Sequence, residues 1–533
     1  MKTGGPSRKA SRRAGGLLSM LLAGLPLCCG ATDWPQYRGG NHDGISKDRI
    51  IKQWTGAVTN PVWRVSLTNA LSSLTVSGGR VFTQGLRTIG GVSREACVAL
   101  NAATGWELWA VPVDDGFYPN TGVGLDDGPR TTPVADGESV FVLSSYLRLY
   151  RLNATNGAIV WERDLQSLYG GSVIPWQNAA SPLIEGGLIF LNLSVGTSTL
   201  LALRTSDGGL AWHDDGLAWR LHEEEMTHAT PVPATIHGVR QVIFATQSGL
   251  VSVEPASGNL LWKSAYPFNY GTCIGVSPVV FEDMVFISGA QVYGMGSAAI
   301  RVSFSNDTWT TAQLWSNTGF TSTLSSHWMT PVCQDGFLYG QFGVQSFDGV
   351  NAQLKCVDLR TGAVKWSANG FGRGATLLVD GQLLVLTEKG DLVLAAAHTN
   401  AYTEVARCLA IPFWNTSTNK CWNSPAVCDG RVYVRSTGFV ACFDFSVPAL
   451  KLDAPQPLSA DRLRLTIRTV NGAPVSSNRL AGMEVRAGTN LAETLSQWPI
   501  LTNQLVLTNG TVLIDDVDSG TQPRRFFMVS ESE

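Results

Sequence analysis

The chain predicts an all-β fold, an eight-bladed β-propeller of four-stranded blades closed by N- and C-terminal strands, followed by a small C-terminal β-sandwich-like module. Three observations predict it. Trp63, Trp109, Trp161, Trp212, Trp262, Trp315 and Trp366 recur at intervals of 46 to 53 residues, the mark of a repeat architecture. Most of them close one phrase, seen as Asn101-Ala-Ala-Thr-Gly-Trp-Glu-Leu-Trp109, Asn153-Ala-Thr-Asn-Gly-Ala-Ile-Val-Trp161 and Asp358-Leu-Arg-Thr-Gly-Ala-Val-Lys-Trp366. Upstream of each lies a Ser/Thr-Pro step and a short apolar run, as in Thr132-Pro133 before Ser139-Val-Phe-Val-Leu143.

The apolar runs are four to six residues long, rich in β-branched and aromatic side chains and bracketed by Gly or Asp-Gly turns, so they read as strands buried on both faces. The inner strands of a propeller blade are sandwiched in this way. The Thr-Gly or Asn-Gly step supplies the positive φ of a tight hairpin before the last strand. The tryptophan then falls on that outer strand, where its ring covers the gap to the next blade. Trp63 has an outer-strand phrase but no inner strands before it, whereas 424–445 has inner strands and no outer strand after it. Joining them gives the eighth blade and removes free sheet edges. A degraded copy near Cys408 supplies the seventh.

The other segments complete the plan. Residues 1–31 read as an export signal, with Lys2, Arg8, Lys9, Arg12 and Arg13 before an apolar stretch from Leu17 to Leu27 and small Gly30 and Ala31 at the cleavage point. The general secretory route fits better than a twin-arginine one, and Cys28 and Cys29 lack the small residue that precedes a lipidated cysteine. The apolar stretch falls short of the roughly 20 residues that span a bilayer, and no transmembrane segment is expected in the mature chain. The propeller takes 32–448. In 449–533 the repeat is lost, but Leu463-Arg-Leu-Thr-Ile467, Glu484 to Asn490, Gln504-Leu-Val-Leu507 and Arg525-Phe-Phe-Met-Val529 read as strands, with a turn at Asn509-Gly510.

Charged residues make up 15% of the chain and the formal net charge is −3, so neither nucleic acid nor anionic membrane is expected as a partner. No Cys-x-x-Cys spacing suggests a zinc ribbon or attached haem. In an exported chain Cys408 with Cys421 and Cys428 with Cys442 are the disulfide pairs to test, with buried free thiols the alternative.

The Asp/Asn-x-x-Thr-Gly-x-x-x-Trp phrase with its Ser/Thr-Pro strands resembles the PQQ-like repeat family of propellers, and Asp33-Trp-Pro-Gln-Tyr-Arg-Gly39 with Asp43-Gly44 resembles the opening of its secreted members. Val485 to Leu491, Trp498 and Phe526-Phe527 resemble the small C-terminal modules of secreted bacterial proteins. The family resemblance implies two functions. Some members are quinoprotein dehydrogenases holding pyrroloquinoline quinone (PQQ) and calcium. Others, the outer-membrane assembly factor BamB among them, are cofactor-free platforms for protein partners.

The dehydrogenase reading implies adjacent cysteines beside the quinone, and only Cys28-Cys29 are adjacent. Calcium takes six to eight oxygen ligands. Asp114-Asp115, Asp126-Asp127 and Glu223-Glu224-Glu225 show no such spacing and read as solvated loops. His222, His228, His237 and His327 come without a Gly-x-Ser-x-Gly elbow for a hydrolase, and no phosphate-binding glycine loop occurs.

Loops entering the innermost strands share one face of a propeller, so the residue two before each Ser/Thr-Pro should face a common funnel. That rule gives Arg130, Ala179, His228, Gly275, Trp328 and Trp422, with Arg373 in the irregular seventh blade and Asn178, His327 and Asn423 beside them. Arginines, histidines and tryptophans around one mouth suit an anionic or sugar-like ligand. The reading is an exported, non-catalytic binding or scaffolding protein, periplasmic or extracellular, with envelope association open. No cofactor is expected. PQQ and calcium belong to the alternative, an oxidoreductase acting on alcohols or sugars. A carbohydrate-binding accessory is the third reading.

Overall fold

The computed structural model describes Met1 and residues 33–118, 127–193, 200–214, 225–343, 352–415, 418–519 and 525–531. The export signal, Cys28, Cys29, Asp126, His222, Glu223 and Glu224 lie outside them. The first compact unit, Ala31–Ser446, is a β-propeller. Among the described residues it holds eight sheets, each with four antiparallel strands, one of which gains a short fifth strand that pairs in parallel. Blades 1 to 7 occupy 75–115, 134–164, 183–213, 232–265, 279–317, 332–368 and 375–409. Blade 8 joins three strands in 426–444 to Trp63–Ser66, which lies antiparallel to Phe439–Asp444 with Trp63 opposite Cys442.

The tryptophans explain how neighbouring blades grip each other. In blades 1 to 7 the pairing of the last two strands carries a bulge, which follows the repeated hairpin and increases local twist. Each ring lies over the hairpin of the following blade, and the indole N–H donates to a carbonyl there. Trp63 reaches Ala102 (3.0 Å), Trp109 reaches Ala154 (3.2 Å), Trp161 reaches Thr205 (3.2 Å), Trp212 reaches Pro255 (2.8 Å) and Trp315 reaches Leu359 (2.8 Å). The hairpin glycine makes room. At Gly258, whose φ is +73°, an added Cβ would sit 2.5 Å from the Trp212 ring. Trp262 differs, donating to Gln241 in its own blade (2.6 Å). Blade 5 opposite it replaces the Thr-Gly hairpin with a longer one whose Trp309 packs on Phe304 and His237.

The Ser/Thr-Pro step has a second structural role. The backbone N–H of Ser73 donates to Thr132 Oγ1 (3.1 Å), that of Thr132 to Ser181 Oγ (2.9 Å), that of Ser181 to Thr230 Oγ1 (3.0 Å) and that of Ser277 to Thr330 Oγ1 (3.1 Å). Ser424 N–H donates to Ser73 Oγ (2.9 Å), linking blade 8 to blade 1. Each bond ties one innermost strand to the next, and proline removes a donor that this edge strand does not use.

The Trp-Pro-Gln-Tyr-Arg-Gly segment is a strap across the opposite end of the channel. Trp34 bridges to Val76 of blade 1, and Pro35 accepts from Ala135 of blade 2. Ile45–Ser46 runs parallel to Leu378–Val379 of blade 7, and Ile50 bridges to Ser446. Arg38, 3% exposed, donates to the carbonyls of Thr330 and Pro331, both at 2.8 Å. Gly44 is required beneath it, because at φ +76° a Cβ would meet the Arg38 guanidinium at 2.8 Å and Val332 at 3.0 Å. The outer strand of blade 7, Glu404–Leu409, carries Cys408 in place of a tryptophan. It shares an apolar cluster with Ile50 and Trp54 of the strap, and Trp54 stacks on Phe445 at 4.3 Å.

The cysteine pairs are corrected by the structure. The eight described cysteines are free thiols, seven of them buried. Cys428 and Cys442 sit on the two strands that flank Arg431–Arg435, about 10 Å apart at normal strand spacing, beyond disulfide reach. Cys408 and Cys421 are packed as apolar groups in one core cluster.

The second compact unit holds Val447–Glu533. Arg462–Thr469 pairs with Leu450–Leu452, Gln456–Pro457 and Thr511–Asp518, which also pairs with Val506–Thr508 across the Asn509-Gly510 turn. Met483–Gly488 pairs with Phe526–Glu531. Leu465, Ile467, Val485, Val512 and Ile514 form its core. Trp498 packs against Gly488 and Phe526.

Candidate functional site

The segments that lead into the innermost strands line a cup of about 410 Å³. Arg130, His228, His327, Trp328, Arg373 and Trp422 all line it, as do Ala179 and Gly275, and Tyr37 and Arg38 of the strap contribute from the other end. Asn178 and Asn423 stand in the wall instead. Asn178 Oδ1 accepts from the Ala180 N–H (3.1 Å), and Asn423 Nδ2 donates to the Ser72 carbonyl (2.8 Å). They hold the loops that carry their neighbours.

Ion pairs organise the cup. Arg373 meets Glu388 through Nε (3.0 Å) and a terminal nitrogen (2.9 Å), and its guanidinium lies 4.7 Å from the Trp422 ring centre. Arg130 meets Asp127 (3.1 Å) and Gln177 Oε1 (3.2 Å). Lys420 bonds the same Asp127, and its ammonium lies 4.9 Å over Trp422. Trp422 packs on Trp328 at 4.9 Å, and Trp328 on His327 at 4.6 Å. The Gln177 carbonyl accepts from His228 Nε2 (2.9 Å). Burial pulls the His228 pKa down to about 3, with the Arg130 charge adding to the effect, so the ring is neutral at neutral pH.

Sequence reasoning missed several of these groups. Asp127, assigned to a solvated loop, is 5% exposed and shared by two cations. Asp114 accepts from Ser144 Oγ (2.6 Å), and Glu225 accepts from the Gly271 N–H (2.7 Å), so these too are engaged. Glu388 and Lys420 follow no repeat phrase, being placed by the Lys389-Gly390 turn and by the loop before blade 8. Trp176 lines the cup from a loop in which it and Gln177 are both left-handed, at φ 62° and 58°. Such strain in consecutive non-glycine residues often marks functional loops.

A sequence model described as outer membrane protein assembly factor BamB matches residues 93–368, over half of the chain. The chain belongs to this PQQ-like repeat family. Curated relatives include the outer membrane protein assembly factor BamB of Moranella endobia, 22% identical over 308 residues, and that of Yersinia pestis, 23% identical over 310. Each alignment covers 57% of this chain, which spans about three fifths (60%) of the relative's length. Among solved structures, the quinohemoprotein alcohol dehydrogenase of Comamonas testosteroni superposes with a TM-score of 0.54 at 13% identity, covering 80% of this chain and 83% of the other. That likeness establishes a shared fold. No helix among the described residues of this PQQ-like repeat protein is long and apolar enough to cross a membrane.

Proposed function

We propose that this PQQ-like repeat propeller is an exported, non-catalytic scaffolding protein that docks a protein partner on the face carrying the cup mouth. The observation that carries the reading is a rim of exposed apolar side chains. Phe117, Leu168, Tyr270, Phe320 and Phe413 are each more than half exposed, and all lie in segments between an outer strand and the next innermost strand, the same face as the cup. Apolar side chains gathered around a polar centre mark a protein interaction surface. The relatives named as outer membrane assembly factors support the same reading, and the signal-like residues 1–31 support export to the periplasm or beyond.

We read the cup as holding no PQQ-calcium centre, a reading that the chemistry of its described residues supports. The cup carboxylate Asp127, and Glu388 behind Arg373, already pair with side-chain cations, whereas calcium takes a shell of oxygen ligands. Among the described residues no group of three or more His, Cys, Asp or Glu could hold a metal ion, and no two cysteines are adjacent.

Photo-crosslinking side chains placed at Phe320 and Phe413 test the docking face, with Trp106, 75% exposed in the hairpin at the other end, as control. One discrete partner band should form from the rim positions and disappear when Phe117 and Tyr270 are changed to Glu. Equal cross-linking from Trp106, or bands indifferent to those changes, would refute the docking face.

A further inference from the structure

We propose that the cup is a binding site for an acidic sugar, a hexuronate ring free or at the end of a chain, which goes beyond partner docking on the rim. Three independent features of the lining select this chemistry: its hydroxyls, its charge and a free aromatic face.

The hydroxyls come from the inter-blade ties. Ser73, Thr132, Ser181, Thr230 and Thr330 all line the cup, and each hydroxyl oxygen accepts one backbone N–H from a neighbouring blade. A hydroxyl also has one proton to give. Among the described residues none of these five donates its proton to the protein, so a belt of donors faces the lumen. Among the described residues the indole N–H of Trp328 is another buried donor without a partner. A polyhydroxylated ligand answers such a belt, because each of its oxygens can accept.

The charge sets the second requirement. Arg38, Arg130, Arg373 and Lys420 line the cup against one lining carboxylate, Asp127, while Glu388 pairs with Arg373 from behind the lining and Asp43 stands near Arg38. Lys420 and Arg130 share Asp127, so among the described residues the lining keeps a positive excess beside that pair. A ligand carboxylate next to them gains charge-assisted hydrogen bonds that a neutral sugar lacks.

The third feature is Trp176. Its backbone is left-handed, as is that of Gln177, whose side chain and carbonyl hold Arg130 and His228. Trp176 lines the cup, is partly exposed and has no ring or cation packed on it among the described residues, so its ring is the aromatic surface we assign to the C–H face of a sugar ring. The volume of about 410 Å³ lies within the roughly 300–1,000 Å³ of small-molecule sites.

Tryptophan fluorescence and calorimetric titration of the purified chain with galacturonic acid and digalacturonate test the site. Galactose serves as the uncharged comparator and cyclohexanecarboxylate as the acid without hydroxyls. The uronates should bind saturably, and each comparator should bind at least about tenfold more weakly, equivalent to ~1.4 kcal/mol. Trp176→Ala and Lys420→Gln, checked for unchanged folding by circular dichroism, should each lower uronate affinity about tenfold. The assignment fails if no uronate binds saturably, if either comparator binds as well, or if both folded variants bind like the parent. A failure here leaves rim cross-linking unaffected, so the two readings stand or fall separately.

Discussion

Replacing Gly258 by Ala tests the interlock between blades. Gly258 has φ +73° in the hairpin of blade 4, and its missing Cβ would lie 2.5 to 3.0 Å from three atoms of the Trp212 ring of blade 3. Gly238, in another turn of blade 4, has φ +78° and nothing within 4 Å of its ideal Cβ. The backbone cost of a left-handed alanine, about 1–2 kcal/mol, is therefore common to both substitutions. Only Gly258→Ala adds overpacking, about 1–3 kcal/mol, because the 7% exposed Trp212 ring is fixed by its hydrogen bond to the Pro255 carbonyl. Urea unfolding followed by far-ultraviolet circular dichroism should show Gly258→Ala less stable than Gly238→Ala by about 1–3 kcal/mol. In a Trp212→Ala background that excess should vanish. Equal shifts for the two alanines, or an excess that survives loss of Trp212, would refute the idea that the ring sets the glycine.

Other outcomes follow from the same contacts. Trp212→Phe should cost about 1 kcal/mol more than Trp262→Phe by urea midpoint, because it strands the Pro255 carbonyl, whereas Gln241 still accepts from Ser252. His42, buried beside Arg38, has its pKa pulled down to about 3 by burial and then by the Arg38 charge. The folded chain leaves it neutral while the unfolded chain binds a proton, so stability is full above about pH 6.5 and falls toward pH 3 by ~1.4 kcal/mol per unit for this group. His42→Asn, compatible with the φ of 57°, should reduce the pH dependence of urea midpoints across that window, His228 keeping its own share, and an unchanged pH profile would count against it. Under non-reducing conditions all eight described cysteines should alkylate in denaturant, and Cys97, Cys273, Cys356, Cys408, Cys421, Cys428 and Cys442, the buried seven, should resist alkylation when folded, as peptide mass spectrometry would show. A linked Cys408–Cys421 peptide would contradict the packing.

The fold was legible because repetition turns a weak local phrase into a strong one. Asn153 to Trp161 alone could be any hairpin, but its recurrence at Asp358 to Trp366 fixes strand order and period. The Ser/Thr-Pro step located the innermost strands, and the residue two before it found much of the cup, including Arg130, His228, Trp328 and Trp422. Asn178 and Asn423, named beside the rule's positions, turn into the wall instead.

By itself, the sequence determined what depends on short-range periodicity: the all-β class, the hairpin glycines, the outer-strand tryptophans and the loops that line the cup. The tertiary structure alone decided which distant groups meet. Lys420 reaches Asp127 across 293 residues, and Arg38 leaves the N-terminal strap to bond Thr330 on blade 6. Ser73, which lacks the following proline, nevertheless joins the hydroxyl ties. The physical reason is that a strand pattern reports the burial of its own faces, whereas the charge balance of a central cavity is set by side chains brought together when the ring of blades assembles.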